Sequence, residues 1–325
     1  MGTYVRTQSI DHVVGERGSV TLTIISGELR ARGVPGAEAH IRATFEISAS
    51  SDGEADRIFD EVQLRVRRAG DELSVEERDV APSVGAVISR LFGGRGSYDL
   101  SLEAEIPAAA QLRLAGVSSD MEVSGFHGEQ RYGTVSGDLR LTELGGSVRL
   151  DTVSGDAIIR ADLPLSIQVK GVSGDVSITA PTLRGLQANT VSGDVEVEAE
   201  LAASGEFRVE TVSGDLVVGL VGGATFEVHG LSTDVSSELD HRLEGQVDRR
   251  RLIIGGGGPR LVFNSMSGDV DVRRPSRIRE GAMNADAVAP PPTAPSQATQ
   301  LEILQALERG EIDVDEAARR LSGGT

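Results

Sequence analysis

The sequence predicts an all-β chain folded as a β-solenoid. Three observations carry this expectation: a Val-Ser-Gly-Asp signature recurs roughly every 19 residues, apolar residues hold fixed phases around it, and 325 residues contain only seven Phe, three Tyr and no Trp. So few aromatics suit thin stacked β-layers filled with Val, Leu, Ile and Ala better than a broad globular interior. The signature ends at Asp138, Asp156, Asp175, Asp194 and Asp215, with looser copies ending at Asp120, Asp234 and Asp269. Successive spacings are 18, 18, 19, 19, 21, 19 and 35 residues; the last is read as two periods with a degenerate copy between, giving about nine coils.

The other columns name the strands. Eight and six residues before the Asp stand pairs such as Val148/Leu150, Ile167/Val169, Phe207/Val209 and Leu261/Phe263, and one and three after it stand Leu139/Leu141, Val176/Ile178 and Val195/Val197. Each coil therefore holds two short strands of period 2 joined at Ser-Gly-Asp. A third apolar column, three before the Asp (Val117, Val135, Val153, Val172, Val191, Val212, Leu231 and Met266), is read as inward-facing with the rest. One coil of 18–21 residues cannot bury these positions alone, whereas coils stacked in register place like on like. With rungs about 4.8 Å apart, eight intervals from Asp120 to Asp269 predict a rod of roughly 38 Å. The second corner varies in length (TELGG, RADLP, TAPTLRG) and is where insertions are expected.

Ser-Gly-Asp is a corner by its chemistry: Gly supplies positive φ and the Asp carboxylate can accept from nearby backbone N–H groups. Stacked carboxylates about 4.8 Å apart repel by roughly 0.9 kcal/mol per pair even at the dielectric of water. The column at Asp138, Asp156, Asp175, Asp194 and Asp215 must be relieved by hydrogen bonds, solvent or cations. A structural corner is the favoured reading and a cation ladder the lesser one, since the Gly-Gly-x-Gly-x-Asp nonapeptide of calcium-binding β-helices is missing.

Residues 1–100 have a different grain and are read as a β-rich N-terminal cap preceding the repeats of 101–274. Ser26-Gly27-Glu28, with Val20 and Leu22 before it and Leu29 after, predicts one early coil. A strand over 41–47, a short helix over 55–59, and a hairpin setting Val62, Leu64 and Val66 against Leu73 and Val75 across Ala69-Gly70-Asp71 follow. This excursion is suited to covering an open sheet edge. Residues 82–96 form an apolar island, with Val84, Val87, Ile88, Leu91 and Phe92 at helical spacing. It reads first as a cap helix and second as a partner or peripheral membrane contact.

Residues 275–298 turn to Pro, Ala and Ser and read as a disordered spacer. Beyond it, Thr299 with Glu302 and Asp313 with Glu316 make two capping boxes around Gly310. They predict a helical hairpin over 299–325 with an apolar face of Leu301, Leu304, Leu307, Ile312, Val314, Ala317 and Leu321. So small a hairpin needs self-association or a partner protein to be stable, which makes this face the expected interaction site.

Composition excludes much. With no Cys there are no disulfides, thiolate metal sites or cysteine nucleophiles. A net charge of −18 argues against nucleic acid and against electrostatic docking on anionic lipid. No secretory signal or membrane-spanning stretch is legible, and the default expectation is a cytoplasmic protein. His12, His40, His127, His229 and His241 fall in unrelated phases, and no P-loop, nucleophile elbow or dinucleotide fingerprint occurs. Arg149, Asp151, Arg160 and Asp162 are carboxylate and guanidinium groups that could in principle approach a sugar, but nothing separates them from a solvated face. The expectation is no enzyme, no cofactor and no metal.

The repeated T-V-S-G-D, the E-I-P at Glu105, Ile106 and Pro107 leading into Leu112 and Leu114, and the N-terminal G-x-V-x-L resemble the bacterial β-strand-repeat family called "putative adhesin", over residues 15–274. The tail ILQALERGEIDVDEAARRL resembles a short bihelical oligomerisation module found on some members. Membership implies a right-handed single-stranded β-helix, an association with envelope-stress systems for some members, and no catalytic residues. Two functions compete on these grounds: a scaffold rod assembled or recruited through its tail, and an adhesin-like module holding a polymer or protein on the solenoid face.

Overall fold

The computed structural model describes residues 2–78, 98–246 and 248–275. The chain divides into two units, Met1–Pro275 and Ser276–Thr325. The apolar island of 82–96, the spacer beyond Pro275 and the helical hairpin expected over 299–325 lie outside the described residues, among which there is one helix.

Two facing sheets enclose the core, and each coil gives one strand to each. Strands β11 (Leu139–Thr152), β12 (Ala157–Lys170) and β13 (Val176–Asn189) show the rule. Each leaves a Ser-Gly-Asp corner in the sheet of post-signature strands, bends through the second corner, and ends in the sheet of pre-signature strands. Period-2 alternation buries Leu139, Leu141, Val148 and Leu150 between the sheets while Arg140 and Arg149 face out. A fully buried side chain of this size stabilises by about 1.5–3 kcal/mol, but only when the coils above and below complete its surroundings. Register shifts between neighbouring strands fall at the second corner, where the sequence varies in length.

The pre-signature sheet runs β5 (Arg65–Ala69), β6 (Glu72–Glu76), β2 (Ser19–Thr23), β8 (Gln111–Ala115), β10 (Glu129–Thr134), the later halves of β11 to β13, then β15 (Phe207–Glu210), β21 (Arg260–Ser267), β17 (Ala224–Ser232), β20 (Arg249–Ile254) and β19 (His241–Gln246). The post-signature sheet runs β1 (Gly2–Val13), β4 (Glu38–Ala49), β7 (Tyr98–Pro107), β3 (Ser26–Val34), β9 (Ser118–Ser124), the earlier halves of β11 to β13, then β14 (Val195–Leu201), β16 (Leu216–Val221), β22 (Val270–Arg273) and β18 (Val235–Ser237). Pairing is parallel within the stack and antiparallel in β5–β6, β17–β20–β19 and β1–β4–β7 at its ends.

Spatial order departs from chain order at both ends. The first coil, β2 and β3, lies between the β6/β7 layer and the β8/β9 coil. The last coil, β21 and β22, lies between the β15/β16 coil and the β17/β18 coil. Two expectations are corrected by this. The 35-residue interval after Asp234 holds no degenerate coil: it holds the β19–β20 hairpin, after which the chain returns to insert its final coil one place inward. The aspartate column therefore spans seven steps, roughly 34 Å at 4.8 Å per rung, not eight. Residues 1–100 are likewise no separate cap, because β2, β3, β6 and β7 are layers of the same stack.

What covers that end, among the described residues, is β1, β4 and the helix packed on β4. Helix α1 (Asp52–Val62) starts at Ser51, whose hydroxyl accepts the Glu54 N–H at 3.3 Å while the Glu54 carboxylate accepts the Ser50 N–H at 2.7 Å. Bonds from Ser50 hold the Glu54 carboxyl below its usual range. Phe59 meets buried Phe45 edge-on at 5.4 Å, so the helix packs on β4. Val62 ends this helix and takes no part in the hairpin, where Val66 faces Val75 and Arg68 faces Leu73. Inside the stack, the polar end of buried Tyr132 is satisfied: its hydroxyl donates to Gln130 Oε1 at 3.0 Å and Gln130 Nε2 donates to the Gly145 carbonyl at 2.8 Å. Burial pushes the Tyr132 phenol well above its ordinary pKa.

Candidate functional site

The signature forms one edge of the rod, and its columns can be read rung by rung. From Asp138 onward, each aspartate N–H donates to the carboxylate of the aspartate in the neighbouring coil. The chain of bonds runs Asp120, Asp138, Asp156, Asp175, Asp194, Asp215, Asp269, Asp234, at 2.7–3.0 Å. Each Asp carbonyl from Asp138 onward in turn accepts from the residue after the neighbouring aspartate, as Val176 N–H does to Asp194. Arg250 closes the column, donating to the last carboxylate, Asp234, at 3.3 Å. A hydrogen bond to a charged acceptor contributes about 1.5–3 kcal/mol, which exceeds the ~0.9 kcal/mol of rung-to-rung repulsion. Backbone donors thus relieve the five aspartates singled out in sequence, and among the described residues no group of three or more His, Asp or Glu is arranged to hold a metal.

Asp175→Ala is expected to cost about 1–2 kcal/mol in a urea melt by orphaning the Asp194 N–H, while Asp175→Asn, which keeps an acceptor oxygen, costs under about 0.5. Millimolar calcium should move neither curve; a calcium-dependent gain confined to the wild type would restore the cation ladder.

The glycine before each aspartate is required by crowding as well as by φ. A Cβ at Gly155 would lie 2.3 Å from the Gly137 carbonyl oxygen, at Gly174 2.2 Å from that of Gly155, and at Gly193 2.3 Å from that of Gly174. Two of the three looser copies, those ending at Asp120 and Asp234, obey a compensating rule. Where Ser119 or Thr233 replaces this glycine, the residue three earlier is Gly116 or Gly230, and a Cβ there would meet the hydroxyl at 1.8 or 2.0 Å. In the T-V-S-G-D copies that space belongs to threonine, whose hydroxyl bonds the serine carbonyl two residues on at Thr134, Thr152 and Thr190.

The column three before the aspartate corrects the sequence reading. Val135, Val153, Val172, Val191 and Val212 are 41–48% exposed, Met266 58% and Leu231 77%. The inward phase runs through the threonine at the preceding position, which is buried at Thr134 and Thr152, so its successor must face out. The column is contiguous in space, because Ser154, Ser173, Ser192, Ser213 and Ser267 N–H donate to the carbonyls of Val135, Val153, Val172, Val191 and Val212. A serine column separates this apolar stripe from the exposed aspartates. At its far end Leu231 and Met266 border a hollow of about 580 Å³ that Glu210, Asp248 and Arg249 also line.

A cleft of about 600 Å³ lies on the outer face of β1, β4, β7, β3 and β9. Its charges form cross-strand rows of alternating sign, such as Arg42–Glu103–Arg30–Glu122–Arg140. Arg30 reaches Glu28 at 2.9 Å and Glu122 at 3.4 Å, and the Asp11 carboxylate at 2.8 Å raises the His40 pKa. These pairs stabilise the sheet face. Arg149 bonds Asp151 at 3.3 Å on one sheet, while Arg160 faces out from the other, so the sugar-contact candidates are not brought together. Leu301, Leu304, Leu307, Ile312, Val314 and Leu321, with Val84 and Phe92, lie outside the described residues. Among the described residues no helix is long and apolar enough to cross a membrane.

The Toastrack DUF4097 family model matches residues 165–273, from the later half of β12 to β22, a narrower span than the 15–274 of the sequence resemblance. No curated protein matches the chain. Solved structures similar to it include a "putative lipid binding protein" from Parabacteroides distasonis (13% identity, TM-score 0.44, covering 82% of this chain and 96% of that one). A "putative adhesin" from Bacteroides fragilis (12%, 0.31, 82% and 97%) and a "putative cell adhesion protein" from Clostridium sporogenes (10%, 0.27, 84% and 100%) are others. Identities and TM-scores this low assign no function.

Proposed function

We propose that the chain is a non-catalytic scaffold and interaction protein: a rigid two-sheet solenoid, cytoplasmic and envelope-associated, assembled or recruited through its C-terminal helical hairpin. The observation that carries this reading is the use made of the signature. Its repeated charged group, the aspartate carboxylate, goes into hydrogen bonds to the next coil, which serves stiffness and length rather than chemistry. A second reading, in which the rod itself holds a protein partner, is favoured by the exposed apolar stripe along the same edge.

Light scattering on the full chain and on a chain ending at Pro275 tests the first reading. The truncated chain retains the whole hydrophobic core of the first unit and should fold. The expected result is an assembled full chain beside a monomeric truncated one. Two monomers would remove self-assembly through the tail.

A further inference from the structure

The apolar stripe has a length, a chemistry and a flank, and together they describe what fits it. From Val135 to Leu231 it spans six rungs, roughly 29 Å, and is one side chain wide. An area so narrow falls far short of the ~800 Å² per partner that a stable dimer buries. A second copy is disfavoured again by charge, since it would bring a second column of exposed carboxylates to a chain of net charge −18. Strand addition is also disfavoured, because the valine carbonyls and serine N–H groups along this edge already bond each other from rung to rung.

On these grounds the geometry points to a partner protein segment forming a basic amphipathic helix. Its apolar ridge lies on the stripe and its Lys or Arg flank faces the aspartate column. A helical turn of about 5.4 Å follows rungs of about 4.8 Å more closely than the ~6.8 Å side-chain repeat of a strand, and ~29 Å corresponds to about 19 helical residues. The hollow bounded by Leu231 and Met266 receives a larger side chain at one end of the helix. The inference rests on the reading of the chain as an interaction protein and deepens its second form.

Fluorescence anisotropy with synthetic helices of about 19 residues tests it on the full chain. One peptide carries a Leu ridge with Lys flanks, and its counterpart carries Glu in place of Lys. The variants are Val153→Ser/Val172→Ser/Val191→Ser and Asp156→Asn/Asp175→Asn/Asp194→Asn; the first touches exposed side chains and the second keeps every acceptor oxygen, so both should remain folded at the assay temperature, which their melts check. The expected result is binding of the Lys helix at least about tenfold tighter than the Glu helix and tighter than either variant achieves, with a salt dependence that flattens in the Asn variant. Equal binding by wild type and the Ser variant, or by wild type and the Asn variant, overturns the proposal. So does binding to phosphatidylglycerol vesicles, or growth of solution mass with concentration, that the Ser variant abolishes, since the occupant would then be a bilayer or a second copy. None of these failures bears on assembly through the tail, which the truncation decides separately.

Discussion

Gly174→Ala is expected to destabilise the first unit by about 3–4 kcal/mol, one of the two largest effects of any single substitution considered in this protein. Two costs coincide at Gly174. Its φ of +112° is one that an L side chain rarely adopts, and an added Cβ would lie 2.2 Å from the carbonyl oxygen of Gly155, a backbone atom held by its own rung. The costs can be separated. Gly36 has φ +127° and open space, so Gly36→Ala reports backbone strain alone, about 1–2 kcal/mol. Gly214 lies outside the positive-φ region, yet its Cβ would come 2.3 Å from the Gly193 carbonyl, so Gly214→Ala reports crowding alone. Urea melts should rank Gly174→Ala above both. A Gly174→Ala protein no less stable than Gly36→Ala would mean that the coils can slide apart by the roughly 1 Å that a methyl needs to move from 2.2 Å to ordinary contact.

The same crowding explains how much of the site was legible in the sequence. A column of Ser-Gly-Asp at a period near 19 carries the corner, the two strands and the stack, because those depend on residue type at fixed phase. The looser copies at Asp120 and Asp234 read as degenerate only until Gly116 and Gly230 are paired with Ser119 and Thr233; the exchange of a side chain between two positions was present in the letters, but its reason is a contact across the corner. The stripe escapes a reading by hydropathy because Val135 and its equivalents are apolar yet exposed. Carrying the strand's alternation one residue past its end, through buried Thr134, places Val135 outside. The displaced order of the first and last coils had no local signal at all. A 35-residue interval is as consistent with a degenerate coil as with a hairpin and a return, and only pairing partners distinguish them.

That displaced order makes the second large prediction, Phe263→Ala, which should cost about 3–5 kcal/mol. Phe263 is fully buried on β21, only 12 residues from the end of the first unit at Pro275. In a solenoid stacked in chain order it would belong to the terminal rung, with neighbours on one side, and truncating it would fray that rung. Here β21 lies between β15 and β17, with Val209 registered against Phe263 on one side and Val228 on the other. A cavity at Phe263 therefore loosens two interfaces in the interior of the stack, and the aspartate bonds from Asp269 to Asp215 and from Asp234 to Asp269 depend on the same coil staying seated. Val235, on the outermost strand β18, is the control: it is half-buried and paired on one side, so Val235→Ala should cost under about 1 kcal/mol. The expected signature of Phe263→Ala is a single cooperative transition shifted to lower denaturant, because losing the inserted coil exposes β15 and β17 together. A small early transition confined to residues 224–275, with the rest of the unit melting as in the wild type, would show that the last coil is a detachable end rather than a wedge on which the stack depends.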